Sequence, residues 1–204
     1  RGPYVLIIGA MKAGTTALNW HLSNHPLVAT VCVRIKEMHF FDYRFEPFRT
    51  NQGILRADAR NAYRELVDRV FNASETLGKN PKMIAFDDSP RYLFSSDLIP
   101  ASVLCVAPWV KVIALLRNPV DRAYSHFTMA KNGENNRNVE ITVEEWFQRD
   151  LDDLRRVGVI QDKIPLSQFS GSDEELKAWR AYTRLGTHAP IGRGLYAIQL
   201  RHWF

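Results

Sequence analysis

A buried strand that runs directly into a glycine loop constrains this fold more than any other feature of the chain. Residues 4–8 are an apolar run, and residues 9–16 read Gly-Ala-Met-Lys-Ala-Gly-Thr-Thr. Glycines at both ends of the loop let the backbone turn tightly, so that successive N–H groups face an anion. A helix that begins near Thr15 adds its N-terminal dipole, and Lys12 adds a positive charge. The sequence therefore predicts a phosphate-binding strand–loop–helix unit.

The spacing of this loop nearly matches that of the nucleoside-triphosphate loop, G-x-x-x-x-G-K-[ST]. Thr15 stands where that motif has its lysine, and the lysine of this chain is Lys12 instead. We therefore expect a phosphate cradle that differs from a standard ATP or GTP site.

A second strand-to-helix junction indicates the same kind of ligand. Residues 110–116 predict a buried strand, Asn118 suits a helix N-cap, and Pro119 suits the first helical position. Arg117 leaves the carboxyl end of the strand, where open α/β sheets bind ligands, and Ser125 lies two turns into the helix. Magnesium-dependent NTPases commonly place an aspartate at this strand end, whereas arginine favours direct binding of phosphate. Arg117 is therefore expected at the same edge of the sheet as Lys12.

Strand and helix patterns alternate along the chain. Strands are predicted at residues 4–9, 27–33, 82–87 and 110–116, and helices at 15–24, 56–71, 119–131, 142–155 and 173–185. Capping boxes are predicted at Thr142 with Glu145 and at Ser172 with Glu175. This alternation predicts an α/β fold, a three-layer sandwich with a central, mainly parallel sheet and a P-loop-like binding loop.

These segments together resemble the carbohydrate sulfotransferases that use 3′-phosphoadenosine 5′-phosphosulfate (PAPS). Residues 12–16 are similar to the family's 5′-phosphosulfate loop, and residues 117–125 to its 3′-phosphate motif. Residues 36–42, KEMHFFD, resemble the catalytic segment of the heparan and chondroitin sulfate branch. Residues 88–92 resemble that branch's Ser-Pro-x-Tyr segment, and residues 194–203 resemble a later helix. The resemblance implies transfer of a sulfuryl group from PAPS to a hydroxyl or amine of a carbohydrate, by in-line displacement.

Sulfuryl transfer requires two kinds of catalytic group. Negative charge grows on the departing 5′-phosphate oxygen, and Lys12 is the candidate for stabilising it. Glu37 is the candidate general base near the acceptor. An extended backbone would place His39 on the same face as Glu37, where it orients the glutamate or donates to the leaving phosphate. No metal is required if side chains and backbone supply the donors.

The resemblance also implies the binding residues. The residues expected to hold PAPS are Lys12, Ala13, Gly14, Thr15, Thr16, Ala17, Arg117 and Ser125. Lys36 and Arg91 are assigned to the acceptor, a polysaccharide or glycosaminoglycan. One departure from the heparan sulfate branch is Asp88, which stands where relatives often carry a lysine before Ser-Pro.

Composition narrows the partner classes. The 204 residues are 46% hydrophobic and carry a net charge of +5, a mild basic excess that suits an anionic donor and a polyanionic acceptor. Basic residues are not concentrated in one tract, so no nucleic-acid partner is expected. Cys32 and Cys105 lie in or beside apolar runs, which fits two buried thiols, and a disulfide between them stays open.

The resemblance implies the catalytic domain of a type II membrane protein of the Golgi lumen, with its anchor outside this chain. No apolar stretch is long enough to cross a bilayer, so this segment itself is not expected to contact a membrane. Asn72-Ala73-Ser74 is a glycosylation sequon, which fits a lumenal glycoprotein. We expect one sulfotransferase domain over residues 1–204, truncated at its C-terminus, because the chain stops inside a predicted helix.

Two other functions remain open from the sequence. A P-loop kinase or NTPase would use the same kind of loop, although the displaced Lys12 and the arginine at position 117 argue against it. A non-catalytic polyanion-binding module would keep the fold, and the acid at position 88 is compatible with that alternative.

Overall fold

The computed structural model describes residues 5–29, 37–50, 53–71, 83–132, 141–186 and 188–204. The chain forms two compact units. The sheet unit comprises residues 1–9 and 14–115, and the helical unit comprises residues 10–13 and 116–204. The expectation of a single domain over the whole chain stays a prediction.

The sheet unit is built on a three-stranded parallel sheet. Its strands are β1 (Val5–Gly9), β4 (Phe86–Asp88) and β5 (Lys111–Ala114), in the order β4-β1-β5. In register, Val5 lies opposite Phe86 on one side and Lys111 on the other. A parallel sheet in a chain of alternating strands and helices confirms the predicted fold class. The described strands β1, β4 and β5 are each shorter than predicted.

The strand predicted at residues 27–33 is described only as far as Ala29. Val28 forms a parallel bridge with Ile84, and the amide of Ala29 donates to the carbonyl of Ile84 at 2.8 Å. Residues 30–33 lie outside the described residues. The described part therefore runs parallel to the chain that leads into β4.

The central strand is buried because both of its neighbours pair with it and helices cover it. Leu6, Ile7 and Ile8 have no exposed surface. Helix α1 (Thr15–Ser23) packs Leu18 and Leu22 against the cluster that contains Ile7. This explains why β1 reads as a continuous apolar run rather than an alternating one.

The rest of the sheet unit lies between β1 and β5 in the chain. After a π-helical turn (Phe40–Arg44) and a 3₁₀ turn (Glu46–Phe48) come the short antiparallel strands β2 (Arg49–Thr50) and β3 (Gly53–Ile54). The helices are α2 (Arg56–Phe71), which has the predicted bounds, α3 (Arg91–Phe94) and α4 (Ile99–Val106). Helix α2 packs Tyr63 against the rings of Phe40 and Phe41, whose centroids lie 4.9 and 5.2 Å from its own.

The helical unit follows β5. Its elements are α5 (Pro119–Asn132), α6 (Val143–Arg156), α7 (Leu166–Phe169), α8 (Asp173–Thr183), a 3₁₀ turn (Gly192–Gly194) and α9 (Tyr196–Arg201). Pro119 begins α5 and the Asn118 side chain accepts from the amide of Val120 at 2.9 Å, as predicted. Among the described helices, none has both the length and the apolar character to cross a membrane.

The two predicted capping boxes have different outcomes. Thr142 and Glu145 form the complete reciprocal pair at the start of α6. At α8 the Ser172 hydroxyl accepts from the amide of Glu175 at 3.2 Å, but the Glu175 carboxylate accepts from the amide of Gly171 at 2.8 Å and from Arg201 instead. The second half of this capping box was wrong, because the Ser172 amide donates to the carbonyl of Phe169 at 3.0 Å while the Glu175 carboxylate has other partners.

The glycine that ends β1 allows the segment after β4 to approach closely. Gly9 has φ +151°, and a Cβ there would lie 2.8 Å from Leu93 Cβ and 2.9 Å from the carbonyl oxygen of Pro90. Gly14 also has positive φ, +99°, but a Cβ there would meet nothing within 4 Å. Both glycines therefore have a backbone conformation that favours glycine, but only at Gly9 would a side chain also clash with its neighbours.

We expect Gly9→Ala to lower the free energy of unfolding by about 1–3 kcal/mol more than Gly14→Ala, because only the first overpacks the core. Denaturant unfolding of both variants measures the difference. Equal losses would show that Gly9 is needed only for its backbone conformation.

Candidate functional site

Two carboxylates hold the imidazole of His39 in the sheet unit. Its Nε2 lies 2.9 Å from Oε2 of Glu37, and its Nδ1 lies 2.8 Å from Oδ2 of Asp42. The hydrogen bond to Asp42, and next the one to Glu37, raise the pKa of His39 from 6.5 to about 9, although partial burial opposes them. Since ionised carboxylates only accept, both ring nitrogens carry protons. His39 is therefore an imidazolium at neutral pH. We call Glu37, His39 and Asp42 the triad.

The backbone at His39 is left-handed. Its φ is +50°, and it caps the π-helical turn that begins at Phe40. The amides of Tyr43 and Arg44 both donate to its carbonyl at 3.3 Å. A residue with a side chain rarely adopts this conformation unless its surroundings impose it. Glu37 and His39 therefore meet as predicted, but with His39 in a left-handed conformation and not in an extended strand.

The side chains that hold this turn come from residues 87–92, which include the Ser-Pro-x-Tyr segment. The amides of residues 38–41 donate to Asp87, Ser89 and Tyr92. Asp87 is fully buried and accepts from the hydroxyls of Ser89 and Tyr92 at 2.7 and 2.9 Å. Burial raises its pKa from 3.8 to about 6, and these hydrogen bonds oppose the shift. Sequence reasoning missed Asp87, whose only local signal is its spacing from a serine two residues on and a tyrosine five residues on.

Arg91 belongs to the same cluster. Its Nε lies 3.8 Å from Oδ2 of Asp42, and its guanidinium carbon lies 5.0 Å from the centroid of the Tyr43 ring. Sequence reasoning did not assign Asp42 a role, although the turn spacing of three residues from His39 was visible.

Lys36, the other predicted acceptor residue, lies outside the described residues. Cys32 and the sequon at residues 72–74 also lie outside the described residues, so the pairing of Cys105 with Cys32 stays open.

The helical unit brings three predicted donor-binding residues together. Lys12, Arg117 and Ser125 line an open groove of about 690 Å³. The guanidinium of Arg117 donates to the carbonyl of Lys12 at 3.3 Å, and its own carbonyl accepts from the hydroxyl of Tyr196 at 2.9 Å. The predicted proximity of Arg117 and Lys12 is therefore confirmed.

The groove also has an apolar wall. Val120 and Tyr124 project from α5 and are 70% and 59% exposed. Met129 of the same helix and Phe147 of α6 complete this wall. The groove thus combines two cationic side chains, the carboxylate of Asp121 and the hydroxyls of Ser125 and Thr128 with apolar surface that suits a planar ring.

A buried arginine holds the loop that carries Lys12. The guanidinium of Arg122, which has no exposed surface, donates to the carbonyl of Met11 at 3.3 Å and to that of Pro190. Burial lowers the pKa of Arg122. Lys12 itself has φ +70°, so this short segment has a strained backbone that the arginine supports. Sequence reasoning missed Arg122 as a support of the loop.

The other predicted loop residues lie at the start of α1 in the sheet unit. Gly14, with φ +99°, is the N-cap of this helix, and its carbonyl accepts from the amide of Leu18 at 3.0 Å. Thr15 is buried, whereas Thr16 and Ala17 are exposed. The first turn of any helix presents N–H groups that have no partner within the helix. Ala13 belongs to the helical unit, and its amide donates to the carbonyl of Ala10 at 3.0 Å.

The chain belongs to the sulfotransferase family, because the family model of the sulfotransferase domain matches residues 3–165. The predicted family resemblance is therefore confirmed. The roles of the individual site residues stay predictions.

Curated relatives and one solved structure are similar to the chain. Human heparan sulfate glucosamine 3-O-sulfotransferase 6 is 32% identical over 127 residues, which cover 62% of this chain and 30% of that protein. Human bifunctional heparan sulfate N-deacetylase/N-sulfotransferase 2 is 32% identical over 130 residues, which cover 62% of this chain and 13% of that protein. The chain thus spans less than a third of the length of these relatives.

The crystal structure of a sulfotransferase from Alicyclobacillus acidocaldarius aligns with a TM-score of 0.58 and 24% identity, over 100% of this chain and 68% of the other. At this identity the similarity shows the fold alone.

The triad geometry predicts a ranking of two variants. Asp42→Asn should lower the pKa of His39 more than Glu37→Gln does, because the hydrogen bond to Asp42 is the largest cause of the raised value. An NMR titration of the imidazole, assigned with His39→Gln, measures both shifts. A larger fall in Glu37→Gln would contradict this ranking of the two carboxylates.

The same titration has a consequence for stability, which provides a control. Because the folded-state pKa of His39 is raised, its protonation stabilises the fold fully below pH 6.5, and this contribution is lost as the pH rises through about 9. The difference in unfolding free energy between wild type and His39→Gln should therefore shrink across that range. A constant difference would indicate that His39 does not titrate there.

Proposed function

We propose that this chain is the catalytic domain of a PAPS-dependent sulfotransferase that acts on a carbohydrate, most simply a glycosaminoglycan. The observation that carries the proposal is the groove in which Lys12, Arg117 and Ser125 converge. Membership of the sulfotransferase family supports the reaction class. The similar curated proteins are named for heparan sulfate, which supports a carbohydrate acceptor.

The groove fits the chemical parts of the donor. PAPS has two separate anionic groups and a planar base, and it supplies an activated sulfuryl group. Arg117 and Ser125 are assigned to its 3′-phosphate, because a guanidinium and a hydroxyl are strong donors to phosphate oxygens. Lys12 is assigned to the 5′ side, where its charge would stabilise the departing oxygen. Val120 and Tyr124 offer apolar surface to the base.

The assignment also uses the loop that leads into α1. Residues 13–17 are proposed to supply backbone N–H donors to the 5′ side, since a helix N-terminus favours anions. Gly14, the N-cap of α1, has a left-handed backbone conformation that a residue with a side chain rarely adopts. The Thr16 hydroxyl is a further candidate donor.

The triad supports one of the two candidate bases. His39 is already protonated at neutral pH, so it has no lone pair with which to accept the acceptor's proton. Glu37 is therefore the proposed base, and His39 holds its carboxylate through the 2.9 Å contact. Asp42 holds the other side of the imidazolium and fixes the ring. In this arrangement His39 orients the base and does not replace it.

Arg91 is proposed to contact an acidic acceptor. Its guanidinium stacks on the Tyr43 ring and is about one third exposed, so its outer edge is available to solvent. Lys36 is proposed as a second contact to the acceptor. The proposal does not specify the acceptor sugar or the position that is sulfated. We also propose that the protein acts in the Golgi lumen with a separate membrane anchor. We further propose that the reaction requires no metal.

The two alternatives make different demands. An NTPase would require magnesium-dependent turnover of ATP, and neither the lysine position nor the arginine after β5 favours that chemistry. A binding module without catalysis would bind the donor product but transfer no sulfate. The family match favours neither alternative.

The donor assignment is tested by Arg117→Ala in the full-length protein. Adenosine 5′-phosphosulfate lacks the 3′-phosphate, so wild type should strongly prefer PAPS. The variant should lose about 1.5–3 kcal/mol of PAPS binding, the contribution of a hydrogen bond to a charged group, and barely distinguish the two donors.

The matched control is Arg180→Ala, which removes an exposed arginine from α8 of the same unit. It should bind both donors as wild type does. Undiminished discrimination in Arg117→Ala would refute the assignment, and a wild type that uses neither donor would refute the proposed function.

A further inference from the structure

Four successive backbone amides depend on side chains from one distant segment. Buried amides usually pair with backbone carbonyls of a helix or sheet. Here the N–H groups of residues 38–41 donate instead to side chains of residues 87–92. The contacts are Met38 to Asp87 Oδ1 at 3.3 Å, His39 to Ser89 Oγ at 3.2 Å, and Phe40 and Phe41 to the Tyr92 hydroxyl at 3.0 and 3.3 Å.

Asp87 determines the direction of both hydroxyls. Its carboxylate accepts the Ser89 proton at 2.7 Å and the Tyr92 proton at 2.9 Å. Each hydroxyl has a single proton, so its remaining lone pairs face the amides of the turn. The Tyr92 oxygen thereby serves two consecutive amides at once, which fixes the start of the π-helical turn.

We propose that Tyr92, oriented by Asp87, is a positioning residue for sulfuryl transfer, because it holds the turn that sets His39 between Glu37 and Asp42. The proposal rests on the proposed function, in which Glu37 is the base. Tyr92 itself touches no reacting atom in this account and acts through the triad.

The strain at His39 explains why such a clamp is needed. A left-handed conformation is unfavourable for a residue with a Cβ, so it persists only where several contacts impose it. Asp42 lies within the turn that starts at Phe40, and it reaches Nδ1 of His39 at 2.8 Å. Removal of the shared acceptor would leave two buried amides unpaired. The turn would then relax, and Asp42 would move relative to the imidazole.

The chain contains a matched control for this role. Tyr63 is also buried against Phe40 and Phe41, with ring centroids 4.9 and 5.2 Å away, and the Tyr92 ring lies 5.7 Å from that of Phe41. Within the described part of the chain, the Tyr63 hydroxyl has no hydrogen-bond partner. The two tyrosines therefore share ring packing and differ in hydrogen bonding.

The experiment compares Tyr92→Phe with Tyr63→Phe in the full-length protein. NMR titration should show that Tyr92→Phe lowers the His39 pKa from about 9 by about one unit or more, towards 6.5. Its kcat should fall by about 10²-fold, the typical consequence of a misplacement of about 1 Å. The Kd for 3′-phosphoadenosine 5′-phosphate should stay unchanged, because neither tyrosine lines the groove. Tyr63→Phe should leave the pKa, kcat and Kd unchanged.

The outcomes separate this proposal from the proposed function. An unchanged His39 pKa in Tyr92→Phe, or equal falls in both tyrosine variants, would overturn the positioning role whatever the activity. A wild type that transfers no sulfate would overturn the proposed function instead. If Tyr92→Phe does not fold, Asp87→Asn takes its place, since it changes the carboxylate that orients the Tyr92 hydroxyl. Asp87→Asn should then lower the His39 pKa, and an unchanged value would overturn the proposal.

Discussion

The hydrogen bonds that converge on the buried carboxylate of Asp87 are the interaction on which the geometry of the candidate catalytic cluster depends. A carboxylate without solvent contact is costly unless donors surround it. Two hydroxyls and one backbone amide fill that role, and they come from both segments that the carboxylate joins. Asp87 therefore links β4 and α3 to the turn that carries His39. A mutation that removed it would leave the donors of two segments without their common acceptor.

The charges of the cluster balance locally. Glu37 and Asp42 contribute two negative charges, and His39 and Arg91 contribute two positive ones. The hydrogen bonds to the two carboxylates keep the imidazole protonated well above its usual pKa. A carboxylate and an imidazolium coexist in contact because opposite charges favour each other's charged form. The proposed assignment of Glu37 as the base follows from this protonation state.

Local signals in the sequence predicted the elements whose bounds depend on contacts between residues close together in the chain. Helix α2 has the predicted bounds, and its buried face repeats at helical spacing through Ala59, Leu66 and Val70. Helix α5 begins at Pro119, and Asn118 caps it. The meeting of Lys12 and Arg117 followed from two strand-to-helix junctions whose strands are neighbours in one parallel sheet. These predictions required only periodicity, caps and the rule that ligands bind at the carboxyl ends of strands.

The remaining features depend on long-range contacts that no short pattern encodes. The left-handed His39 is imposed by side chains 50 residues away in the sequence, as its contact with Ser89 shows. The support of the Lys12 loop by Arg122 joins residues that are 111 positions apart. At the start of α8, Arg201 likewise engages the glutamate that local sequence assigned to the cap.

The most direct test of the central claim is sulfate transfer from labelled PAPS to a glycosaminoglycan by the full-length protein and its Glu37→Gln variant. The variant keeps size and polarity but loses the basic carboxylate, so turnover should fall by about 10²–10⁴-fold and the acid-side limb of the pH–rate profile should disappear. Binding of 3′-phosphoadenosine 5′-phosphate should persist, because Glu37 does not line the groove. Glu65→Gln, an exposed change on α2, should leave turnover unchanged. A Glu37→Gln protein that keeps wild-type turnover and its acid limb would contradict the account.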